Sequence, residues 1–189
     1  MSDDAWTSKM MIILSLVVII GLGGCAPPTL EPLPTPTPYD LTNLPEGAVA
    51  LTWETIKLSE WGGYTGDGPT LRVVASPEDV ADIEGLIEPD ALAIVQDVDF
   101  DREFALIVLQ GLKKSTGYKV EIRAVVRQET EIAIHAYFVA PRPGQPVGAS
   151  ETSPYHAIRV RKEGKWDGEF SFILYDNDRR LTQVEHFVP

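Results

Sequence analysis

Two stretches of alternating apolar and polar residues, Tyr118 to Arg127 and Glu131 to Ala140, are separated only by Gln128-Glu129-Thr130. That pairing constrains the fold more than any other feature of the chain. Tyr118, Val120, Ile122 and Ala124 share one face of the first stretch, and Ile132, Ile134, Ala136 and Phe138 share one face of the second. A connection this short joins such stretches only as a hairpin, so the sequence predicts an antiparallel sheet with one covered face.

The remaining elements follow from the same reasoning. Phe104 to Leu109, FALIVL, is apolar on both alternations and reads as a central strand covered on both faces. Val49 to Lys57, Thr70 to Ala75, Tyr155 to Lys162, Glu169 to Tyr175 and Leu181 to Val188 read as further strands. The last two flank Asp176 to Arg180 as a second hairpin. Ser76-Pro77-Glu78-Asp79 opens a helix, with Ser as N-cap, Pro at the first helical position and Asp79 closing a capping box. Its apolar face is Val80, Ile83 and Ile87, and its expected end is Glu88-Pro89. The expectation is an α+β domain, mostly an antiparallel, sandwich-like β structure with one short helix.

Ahead of this domain stands a different kind of sequence. Lys9 precedes an apolar run from Met10 to Gly21, long enough for the hydrophobic part of a signal peptide and short of the roughly 20 residues that span a bilayer. Leu22-Gly23-Gly24-Cys25 follows and resembles the bacterial lipobox. That resemblance implies cleavage before Cys25 and acylation of its sulfur, and two or more acyl chains make such an anchor stable. Residues 26–40, APPTLEPLPTPTPYD, are too rich in proline for a helix and favour an extended tether reaching about 45 Å. The organisation read from the chain is therefore a signal peptide over 1–24, the lipidated cysteine and Pro/Thr-rich tether over 25–40, a domain over 41–162, and a strand hairpin over 163–189 packed on that domain. The expected location is the bacterial cell membrane or outer membrane, held by lipid at Cys25.

Charge and composition limit the chemistry. The formal charge is −12, and removal of Asp3, Asp4 and Lys9 with the leader moves it only to −11. So acidic a chain repels phosphate backbones, which argues against nucleic acid as a partner. Cys25 is the only cysteine, so neither an intrachain disulfide nor a thiolate metal cluster can form. His135, His156 and His186 lack metal-ligand spacing, and His135 falls on the outward alternation with Lys119 and Arg123, where a solvated sheet face accounts for it. Asp97, Asp99 and Asp101 begin like a calcium loop. The sixth position is Arg102 and the twelfth Val108, where such a loop needs Gly and Glu. An acidic lead-in to a buried strand, paired with Lys113 or Lys114, is the simpler account. No motif of a hydrolase, a nucleotide site or another cofactor site is present.

From Leu58 to about Lys162 the order of features resembles the PrcB family, named from a protein associated with a surface protease complex. The positions that carry the likeness are Trp61 to Gly68, Val73-Val74 entering the helix at Ser76, and Asp99-Phe100 before the strand Phe104 to Leu109. Gly111, Ser115-Thr116-Gly117-Tyr118, Pro141-Arg142-Pro143-Gly144 and Ser153-Pro154-Tyr155-His156 complete it. The family commonly has a double glycine where this chain has Thr116-Gly117, and Glu163 to Pro189 extends beyond the family core. The resemblance implies an exported accessory domain and no catalytic residues.

Trp61, Tyr64, Thr116, Gly117, Tyr118, Arg142 and Pro143 all lie where strands give way to loops, and aromatics and Arg anchor interfaces. The alternative is that the glycines supply positive φ in turns and Tyr118 plugs the core. Ser115 to Tyr118 also resembles part of the loop of chagasin-type cysteine-protease inhibitors, with Lys113-Lys114 replacing the Asn-Pro of that signature. Lys119, Arg123, Arg127, Arg159 and Arg161 would form one basic face if their strands are neighbours. The function expected is a membrane-anchored, non-enzymatic protein-binding accessory domain with a protein partner, a protease among the candidates. The alternatives are a protease inhibitor or a calcium- or small-ligand-binding domain, and behind these a hydrolase.

Overall fold

The computed structural model describes residues 39–189. The signal-peptide segment, Leu22, Gly23, Gly24, Cys25 and the tether up to residue 38 lie outside the described residues.

Among the described residues nine strands form two sheets: β1 (Ala48–Ala50), β2 (Trp53–Ser59), β3 (Thr70–Val74), β4 (Glu103–Leu109), β5 (Lys119–Gln128), β6 (Glu131–Val139), β7 (Tyr155–Arg161), β8 (Gly168–Asp176) and β9 (Arg179–Val188). One sheet has the order β1-β5-β6-β8-β9 and the other β2-β7-β4-β3. The domain is thus a β-rich α+β sandwich. Chain continuity joins the layers: Leu51 donates its N–H to the Val125 carbonyl of the first sheet, and Thr52 accepts from Arg161 of the second.

Two cores result. Between the sheets pack Leu71, Phe104, Leu106, Ile122, Ile134, Ile158, Phe172 and Leu174, together with Trp166. On the outer face of the four-stranded sheet, Ala105, Ile107, Leu109 and Tyr155 meet Val80, Ile83, Ile87, Ala91 and Val95. β4 is therefore covered on both faces, as its unbroken apolar run requires. Phe172, Leu174 and Val188 belong to the inter-sheet core, so β8 and β9 are integral to the five-stranded sheet.

Three sequence expectations are corrected. The helix opening at Ser76 is a 3-10 helix, Pro77–Ile83, with the capping box in place. A separate α-helix, α1 (Pro89–Gln96), begins at the proline expected to end it. Glu88 is extended, as a residue before proline must be, and Pro89 occupies the first helical position, where its missing N–H costs nothing. Secondly, β6 and β8 pair in parallel, because the chain between them crosses to the other sheet to form β7. Thirdly, the basic residues do not form one face, since β5 and β7 are in different sheets. Arg127 lies over the Trp166 ring at 4.4 Å, Arg159 pairs with Glu54 at 2.6 Å, and Arg123 pairs with Glu121.

Candidate functional site

Three loops, β2–β3 (residues 60–69), β4–β5 (110–118) and β6–β7 (140–154), leave the sandwich at one end. Short polar contacts fasten them to one another. Ser153 donates its N–H to the Glu60 carbonyl and its hydroxyl, at 2.7 Å, to the Tyr64 carbonyl, while its own carbonyl accepts from Gly62. Thr152 and Lys113 exchange backbone hydrogen bonds, and the Thr152 hydroxyl donates to the Ser115 carbonyl at 2.9 Å. Thr116 and Gly148 are tied by two bonds, and Gly117 donates its N–H to the Glu60 carboxylate at 3.2 Å. Thr152 and Ser153 are buried although polar, which is consistent only with their being bonded this way.

The glycines of the first loop are needed for close approach. A Cβ on Gly63 would lie 2.0 Å from the Gly85 carbonyl oxygen, and one on Gly62 would lie 2.7 Å from that of Ser153. Gly117 does adopt positive φ, at 91°. Tyr118 is half-buried and does not plug the core; the Lys113 ammonium stands 5.7 Å from its ring centroid. Arg142 is half-buried, its N–H bonded to Gln145 Oε1, and Pro143 is exposed.

This fastened end presents apolar groups to solvent. Trp61 is 55% exposed and lines a shallow depression with Tyr64, Leu112 and Thr152. Leu112 and Val147 are also exposed, at 36% and 42%. The structure thus places Trp61 and Tyr64 together, and joins Thr116 and Gly117 to the segment that follows Arg142 and Pro143. Leu112 and Val147 carried no signal in the sequence, because an isolated aliphatic residue in a loop has no periodicity to betray its exposure.

Other candidate groups are engaged in structure. His156 is buried, accepts the Ile122 N–H at Nδ1 (2.8 Å) and lies 3.1 Å from the Thr55 hydroxyl at Nε2. Burial, then the nearby Arg123 charge, pushes it down to about 4, so the ring is neutral and bridges the two sheets. Tyr155 is buried beside Glu88, and burial raises its hydroxyl above the usual range. His135 is not on a solvated face: its ring is stacked between Tyr39, at 3.8 Å, and Tyr175, at 5.2 Å, with Nδ1 sealed and unbonded. Burial is the main cause of its lowered pKa.

Near Ser76, a serine, a histidine and an aspartate meet. Asp79 Oδ2 is the shared acceptor, 3.0 Å from both the Ser76 hydroxyl and His186 Nε2. An activated serine needs the histidine between hydroxyl and carboxylate, and here the carboxylate stands between the other two. Asp97 and Asp101 are exposed, and Asp99 accepts the Asp101 N–H and pairs with Arg102 at 3.7 Å. That pairing replaces the one expected with Lys113 or Lys114. Among the described residues no three His, Cys, Asp or Glu groups come close enough to hold a metal ion.

Residues 105–161 match the family model described as PrcB C-terminal. Over that segment the chain is similar to the PrcB family. It runs from β4 to the end of β7, so the PrcB segment supplies the second and third loops and the Thr152-Ser153 fastening. Trp61 and Tyr64 lie before it and β8–β9 after it. No curated protein and no solved structure matches the chain.

The structure also explains the PrcB-like motif Ser153-Pro154-Tyr155-His156. Ser153 ties two loops, the Pro154 carbonyl accepts the Gln110 N–H, Tyr155 holds Glu88 and His156 holds the other sheet. These residues organise the loop end from beneath.

Proposed function

We propose that this chain is a non-catalytic, protein-binding accessory of a protease complex at the bacterial cell envelope, anchored through acylated Cys25 and engaging its partner with the loop end. The observation that carries the reading is the PrcB segment itself, whose two loops close onto Trp61. Three loops fixed by hydrogen bonds of the buried Thr152 and Ser153 form a preorganised surface, and an exposed tryptophan beside Leu112 is the type of residue that dominates binding energy. The lipobox-like Leu22-Gly23-Gly24-Cys25 and the proline-rich tether support the location.

The test is affinity capture from detergent-solubilised envelope with full-length protein, read by mass spectrometry, beside Trp61→Ala/Leu112→Ser. Recovery of a protease by the wild type and its loss with the variant supports the reading. Equal recovery, or none, removes it. Mass analysis of the N-terminal peptide checks acylation of Cys25.

A second reading, inhibition of a papain-like protease by the same loops, draws on Thr116-Gly117 lying on the segment after Pro141. A papain assay with the domain at micromolar concentration decides it; unimpaired hydrolysis excludes it.

A further inference from the structure

At the end of β4 remote from the loops, a cleft of about 490 Å³ opens between the capping segment at Ser76 and the end of β9. Phe100 and Phe187 line it, and Phe187 is 57% exposed, the most exposed large apolar side chain among the described residues. Pro77 and Pro189 complete the apolar lining. Lys162 ties the two sides together, donating to the Phe100 carbonyl at 2.6 Å and the Pro189 carbonyl at 2.8 Å, so its ammonium is already engaged.

Lys162 apart, the charge lining the cleft is negative. Glu78, Asp79 and Asp101 line it, whereas Glu88 and Asp90 of the same acidic segment are paired with Lys57 away from it. Asp79 is occupied by Ala75, Ser76 and His186, whereas Glu78 and Asp101, both lining the cleft and exposed, have no ion-pair partner among the described residues. An aromatic slot rimmed by free carboxylates has one complementary occupant: an organic cation, whose charge meets the carboxylates while its stem or plane lies on the rings.

We infer that the cleft between Phe100 and Phe187 receives a lysine- or arginine-bearing segment of a partner protein. The site stands at the opposite end of the sandwich from Trp61, since β4 runs about 20 Å from Glu103 at the cleft to Leu109 at the loops. The domain thereby has two binding ends of unlike chemistry, one apolar and one cation-selective, as a connector between two proteins requires.

The experiment uses full-length protein in detergent at physiological salt, titrated into a fluorescein-labelled peptide of alternating lysine and alanine, with anisotropy as the readout. Saturable binding is expected, weakened roughly three- to thirtyfold by Phe187→Ala. Glu78→Gln weakens it too, and Trp61→Ala leaves it unchanged. Phe187 and Glu78 are both exposed, so neither change threatens folding, which circular dichroism verifies. Absence of saturable binding overturns the inference. So does wild-type affinity in Phe187→Ala, which would mean diffuse attraction to the acidic segment, or lost affinity in Trp61→Ala, which would assign the peptide to the loop end.

Discussion

His156 Nδ1 accepts the backbone N–H of Ile122 at 2.8 Å, a side chain of one sheet satisfying a main-chain donor of the other. The contact falls where β5 loses register with β6, between Ile122 and Ala124, and beyond the three residues that β1 covers. A buried donor there has no strand to pair with, and an unpaired one costs about 1–3 kcal/mol. His156→Ala should therefore destabilise the domain by about 3 kcal/mol once lost packing is included. Urea unfolding at pH 7 measures it; a loss under about 1 kcal/mol would mean that water replaces the ring without penalty.

The same pair gives a pH dependence. The folded-state value of His156 lies at about 4, below the ordinary 6.5, so protons bind more readily to the unfolded chain. Its stabilising contribution is complete above pH 6.5 and declines as pH falls towards about 4, by on the order of 3 kcal/mol at most. The wild type should lose this increment between pH 7 and 4.5, and His156→Asn should not. Parallel curves for the two proteins would contradict the assignment.

Tyr155 ties α1 to the four-stranded sheet, its hydroxyl accepting the Glu88 N–H and donating to the Glu88 carboxylate. Tyr155→Phe keeps the ring in the core and leaves that N–H without its partner. A loss of about 1–2 kcal/mol is expected, with faster amide exchange concentrated in Pro89–Gln96. Uniformly faster exchange throughout the domain would show that the hydroxyl acts globally.

Two glycines of one loop should respond differently to the same change. Gly63→Ala forces a methyl to within 2.0 Å of the Gly85 carbonyl oxygen, whereas Gly68→Ala enters open space. The first should cost about 2 kcal/mol or more and the second within about 0.5 kcal/mol, by thermal unfolding. Comparable losses would contradict the close approach of the loop to Gly85.

How much of this was legible in the chain depended on range. Alternation in Tyr118 to Ala140 marks the β5–β6 hairpin because both partners and their turn are adjacent in sequence. The unbroken FALIVL marks β4 because a strand covered on both faces leaves no polar position. The parallel pairing of β6 with β8 was hidden, since it joins segments separated by a strand of the other sheet. Glu88-Pro89 was ambiguous in itself: an extended residue before proline suits a helix end and a helix start equally. At the candidate site, Trp61 and Thr116-Gly117 were visible as loop residues of unusual type. Thr152 and Ser153, which hold the loops together, were not, because small polar residues become buried only when distant loops close on them.

The most direct test of the central claim is photo-crosslinking in cells, with a photoreactive residue replacing Trp61 at the loop end or the exposed Thr130 in the β5–β6 turn at the other end. The account predicts a protease-containing adduct from position 61 and none from position 130. Adducts of equal yield from both positions, or none from position 61, would contradict it.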